Sequence, residues 1–74
     1  MEELLKILRD IRDDVDFENE TKLVDGKILT SFDIIQIIGA IDDEYDIAIP
    51  APQIVPANFN SAEAILALIE KLKG

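Results

Sequence analysis

Apolar residues in the first segment recur at helical spacing. Leu4, Leu8, Ile11 and Val15 follow one another at intervals of four, three and four residues, which is one face of an α-helix. Ile7 widens the stripe and Leu5 falls off it. Glu2 and Glu3 stand in the first turn, where the helix dipole favours negative charge. The pattern predicts a helix from Glu2 to about Val15, fraying around Asp13-Asp14. The same intervals return in Ile34, Ile38, Ile41 and Tyr45, predicting a second helix from Ser31 to about Asp46. Thr30 serves as its N-cap, with Asp33 three residues on as a capping-box partner, and Pro50 and Pro52 stop it. Its core positions are mostly β-branched, so burial rather than propensity must hold it together.

A third stripe, Ile65, Leu68, Ile69 and Leu72, predicts a last helix after Asn60. Asn60 reads as its N-cap with Glu63 as partner, and Lys71, Lys73 and Gly74 end it. Residues 16–30 form a long connection with a turn signal at Asp25-Gly26 and apolar anchors at Phe17, Leu23, Val24, Ile28 and Leu29. Those anchors predict a loop tied down by its own side chains. Residues 50–60 have room for one short helical turn, around Gln53-Ile54-Val55. Three helical stripes cannot be hidden separately, so the expectation is one all-α domain over residues 1–74. It is a small four-helix bundle of three long helices and one short, with a long loop between the first two.

Composition narrows the chemistry. Sixteen acids against seven bases give a net charge of −9. That excludes a nucleic-acid binder, which needs a basic patch, and disfavours an anionic membrane. With no Cys and no His, the chain lacks a thiolate nucleophile, an imidazole base and the usual soft metal ligands. No enzyme activity and no bound metal are expected. The acidic start and the lack of a long apolar run set the expectation of a cytoplasmic, monomeric protein without membrane insertion. The acidic run Asp14, Asp16, Glu18 to Asp25 has the length of a calcium loop. It has Asn19 where such a loop needs Gly, and no bidentate Glu at its end, so it reads as a solvated loop.

The second helix has more apolar surface than its core stripe explains. At 100° per residue, Phe32, Ile35, Gly39, Asp42 and Asp46 line a different face, bordered by Gln36 and Asp43. This face is apolar near the helix start and acidic near its end, as a docking surface for a basic partner would be. Ser31 sits in the first turn of this helix. A serine there is a cap or, because free N–H groups and the dipole stabilise an anion, a good place to carry a phosphate.

The stretch Leu29-Thr30-Ser31-Phe32-Asp33-Ile34-Ile35-Gln36, followed by Asp42-Asp43-Glu44-Tyr45-Asp46-Ile47-Ala48-Ile49-Pro50, resembles the acyl carrier protein family. That family has Asp-Ser-Leu or Asp-Ser-Met, an amphipathic helix, then acids, an aromatic, Asp and a closing Ile-Pro or Val-Pro. The resemblance extends over nearly the whole chain. It implies that Ser31 carries 4′-phosphopantetheine, installed from coenzyme A by a phosphopantetheinyl transferase, making a phosphoprotein that bears acyl groups as thioesters. It also implies that Phe32, Ile35, Gln36, Gly39, Asp42, Asp43 and Asp46 form the partner-docking face. Thr30 stands where the family usually has Asp, and Gly39 where it usually has a larger apolar residue. Gln36 and Phe59-Asn60-Ser61 are most similar to the D-alanyl and other aminoacyl carriers, whose cargo comes from an adenylating ligase rather than from acyl-transfer enzymes. The alternative reading is an unmodified acidic helical module that binds a partner protein through the same face.

Overall fold

The computed structural model describes residues 2–73. Four α-helices and one 3-10 turn form a small all-α bundle: α1 (Glu2–Ile11), α2 (Ser31–Tyr45), the 3-10 turn (Ala51–Gln53), α3 (Pro56–Phe59) and α4 (Ala62–Lys73). No strand occurs among the described residues. α1 packs against both α2 and α4, and α3 packs against α4.

α1 ends at Ile11, four residues before Val15. Arg12 still donates its amide to Leu8 O, but its guanidinium then grips both carboxylate oxygens of Asp14 at 2.9 Å. That contact favours a turn, and acids are disfavoured at the negative end of a helix. Val15 packs against the core from the loop instead. Leu5, off the expected stripe, is buried beside Leu4 and Leu8, so the apolar arc of α1 is wider than one stripe.

In α2 the fully buried residues are Ile37 and Ile41, while Ile34, Ile38 and Tyr45 flank the core. The helix is therefore rotated slightly from the 34-38-41-45 register. It closes on Asp46, whose φ of 53° is left-handed, a conformation that Asp tolerates better than most residues.

The segment after Pro50 makes two short turns on either side of Ile54-Val55, where one turn around Gln53-Ile54-Val55 was expected. Pro52 is the second residue of the 3-10 turn and Pro56 the first of α3, each at a position where a missing N–H costs nothing. α3 exists to bury Phe59 in the core. α4 is capped by Ser61, not Asn60: Ser61 Oγ accepts from the Ala64 amide at 3.0 Å, and Ser61 O accepts from Ile65. Its stripe holds, with Ile65, Leu68 and Ile69 buried and Lys71 and Lys73 in the last turn. Gly74, expected to end this helix, lies outside the described residues.

Asn60 is spent elsewhere. Its Oδ1 accepts from the amides of Val24 (3.0 Å) and Asp25 (2.9 Å), and its Nδ2 donates to Asp25 Oδ2 (3.0 Å). Its main-chain oxygen accepts from Leu23 at 2.9 Å. One residue therefore pins the long loop from outside, while Phe17, Leu23 and Leu29 anchor it in the core. Inside the loop, a Cβ on Gly26 would lie 2.6 Å from Lys22 O, so the turn closes only around glycine. Three of the loop acids are engaged by nearer neighbours: Asp14 with Arg12, Glu18 with Arg9 at 2.9 Å, and Asp16 with the Asn19 side-chain amide.

Candidate functional site at the start and outer face of α2

The start of α2 is set by Thr30. Its Oγ1 accepts from the Asp33 amide at 3.2 Å, and Asp33 Oδ2 accepts from the Thr30 amide at 3.0 Å, a complete capping box. Capping thus falls to Thr30, which leaves the exposed hydroxyl of Ser31 free of that task. Ser31 occupies the first helical position, where main-chain N–H groups have no partner within the helix.

Asp33 is buried, and it is the only charged side chain among the described residues in that class. A buried carboxylate needs a partner, and Arg12 supplies it: Nη1 lies 2.6 Å from Asp33 Oδ2. The same Nη1 donates to Ile28 O at 3.3 Å. The end of α1, the last part of the loop and the first turn of α2 thus meet at one guanidinium. Sequence reasoning found the Thr30–Asp33 box by its spacing. It missed Arg12, which is 21 residues from Asp33 and carries no local signal.

The Asp33 carboxyl is held below the usual carboxylate range, first by the Thr30 amide and further by Arg12. Asp14 is lowered as well, chiefly by Arg12. Both groups have a folded pKa below the unfolded one. The stability they contribute is therefore complete above the ordinary carboxylate range and is lost as pH falls through the folded values. Glu44 has the opposite sign. A side-chain bond to Glu3 and the charge of that carboxylate hold it up, so acid relieves it. Asp33→Asn is therefore expected to be less stable at neutral pH and to lose stability less steeply between about pH 5 and 2. Denaturant unfolding across that range measures both effects.

The outer face of α2 is open at its apolar end. Phe32 is 67% and Ile35 65% exposed, and Gln36, Asp43 and Asp46 are exposed too. A Cβ on Gly39 would meet nothing within 4 Å. Close helix packing therefore does not explain this glycine. Gly39→Ala is expected to raise folding stability by roughly 0.5–1 kcal/mol, read as a higher unfolding midpoint. Asp42 departs from the expectation: it is half-buried, with Oδ1 out of contact with water and unpartnered. The acidic end of the face is carried by Asp43 and Asp46, with Glu44 exposed beside them.

A separate open groove of about 460 Å³ lies between α1, the loop and α4. Leu5, Phe17, Ala62 and Leu66 line it, with Glu18 and Glu63. No helix among the described residues is long and apolar enough to cross a membrane. Compared with known proteins, the chain matches no family model, no curated protein and no solved structure.

Proposed function

We propose that this chain is a carrier protein of the acyl-carrier type, with a 4′-phosphopantetheine arm attached through a phosphodiester to Ser31. The observation that carries the reading is the exposed Ser31 hydroxyl, released from capping by Thr30, at the head of a helix whose apolar outer face is uncovered. The site suits the group: the first-turn N–H groups and the dipole of α2 stabilise a phosphodiester at Ser31. When attached, the arm supplies the thiol on which cargo rides as a thioester, a group the chain itself lacks. The chain's own part is to hold Ser31 outward and to present Phe32, Ile35 and Gly39 beside Asp43 and Asp46. It catalyses nothing and works through partners: a phosphopantetheinyl transferase, then an adenylating ligase or acyl-transfer enzymes. The resemblance of Gln36 and Phe59-Asn60-Ser61 to D-alanyl carriers favours a small aminoacyl cargo held outside the core. A core closed by Ile37, Ile41, Ile65 and Phe59 agrees with that, because opening a channel for a long chain would cost stability.

Co-expression with a broad-specificity phosphopantetheinyl transferase, followed by intact-mass measurement, tests the reading. One added arm is expected. A chain that stays unmodified yet binds a partner through the α2 face would be an interaction module instead. Offering the armed protein to a D-alanine–carrier ligase and, separately, to a malonyl transferase decides the cargo. Malonyl loading with no aminoacyl product would overturn the aminoacyl assignment alone. Loading is also expected to slow with added salt, because exposed charge pairs are screened, and to slow in Asp43→Lys at low salt. A salt-independent rate, unchanged by that substitution, would move the docking surface off the acidic end of α2.

A further inference from the structure

We infer that Arg12 is a positioning residue for the modification of Ser31, which it frames from both sides without touching the arm. The inference rests on the carrier reading. Ser31 lies between two groups that one guanidinium holds: Ile28 O on the loop side and Asp33 on the helix side. The contact with Asp33 falls on Oδ2, the same atom that accepts the Thr30 amide and closes the capping box. Arg12 therefore fixes the atom on which the first turn of α2 depends, and ties the chain just before that turn to the same point. An arginine suits this task because its donors form a rigid fork.

The fork keeps one N–H, on Nη2, too few to grip an anion in a bidentate way. Of its five N–H donors, Nε and one on Nη2 go to Asp14, and Nη1 donates to Ile28 O and Asp33. Four donors are committed, and the Asp14 and Asp33 carboxylates already balance the charge. Arg12 acts by orienting the Ser31 hydroxyl, so its loss should lower the rate of the bound complex and leave docking alone. The docking residues Phe32, Ile35, Asp43 and Asp46 make none of these contacts.

Arg12→Ala is compared with the parent in transferase-catalysed loading, at a temperature where circular dichroism shows both folded. The expected result is a kcat at least about tenfold lower, with KM within about twofold, because a misplaced nucleophile costs rate rather than binding. Arg12→Lys, which keeps a cation facing Asp33, is expected to recover to within about threefold of the parent. The alanine change makes the chain more acidic, so weaker attraction of a basic transferase cannot explain a slower reaction. Amide exchange should quicken at Thr30 and Asp33 in the alanine variant and stay unchanged at Leu23, which Asn60 holds separately. If Arg12→Ala does not fold, Arg12→Gln takes its place with the same expectation. A variant that loads with the parent's kcat, or whose loss lies wholly in KM, overturns the inference while the carrier reading stands. A parent that takes up no arm overturns the carrier reading, and this inference with it.

Discussion

Ser31→Ala should fold as the parent does and take up no arm. The capping box at the start of α2 belongs to Thr30 and Asp33, so removing the Ser31 hydroxyl deletes no capping bond. Ser31 is exposed, and the alanine that replaces it is a good helix former. The unfolding midpoint should therefore stay within about 0.5 kcal/mol of the parent, as for exposed positions without a special role. Loading should instead be lost completely, because no other residue can supply the same oxygen at the same place. Thr30 is adjacent, but its Oγ1 already accepts from the Asp33 amide. Intact mass after exposure to coenzyme A and a transferase separates the two variants in one measurement. Added mass on the alanine variant would remove Ser31 from the assignment.

Asn60→Ala should be costly for a single polar substitution outside the core. It removes the acceptor for the Val24 and Asp25 amides and the donor to Asp25 at once. The Val24 amide is partly buried and cannot recover its bond fully from water, so a loss of about 2 kcal/mol is expected. In a domain of this size that corresponds to roughly 10 °C in the unfolding midpoint. Ser61→Ala, which removes only a cap, should cost about 1 kcal/mol. If Asn60 were the cap, the two magnitudes would be reversed. Asn60→Asp sharpens the test. It keeps an acceptor for both amides but sets a second carboxylate against Asp25, so its deficit should shrink as pH falls.

The three long helices were legible because each carries an apolar stripe that only a buried helix face explains. The face of α2 was harder to fix. Isoleucine at 34, 35, 37 and 38 marks apolar residues around most of the helix, so periodicity alone placed the core near Ile34 and overlooked Ile37. The exposed positions Phe32 and Ile35 were nevertheless separable, because they fall on the side that ends in acids. Gly39 was recognised as anomalous, but only the open space above it decides against a packing role. The long-range polar contacts were the least legible. Asn60 looked like a cap because Asn commonly is one, and its true partners lie 35 and 36 residues away. Asp42 looked exposed from its angle on the helix wheel, yet the packing around α2 closes over one of its oxygens.

The reach of Asn60 also bears on how the chain assembles. Local turns in the loop form from near neighbours, as Gly26 to Lys22 and Lys27 to Val24 do. The bonds from Asn60 cannot form until a long stretch of chain has closed on itself, at an entropic cost the early helices do not meet. They belong late in folding, after the apolar helices have collapsed. Their loss should then appear mainly as faster unfolding, with the folding rate nearly unchanged. The asparagine acts as a bolt drawn across a door already shut, and the lifetime of the native state, more than its speed of formation, depends on it.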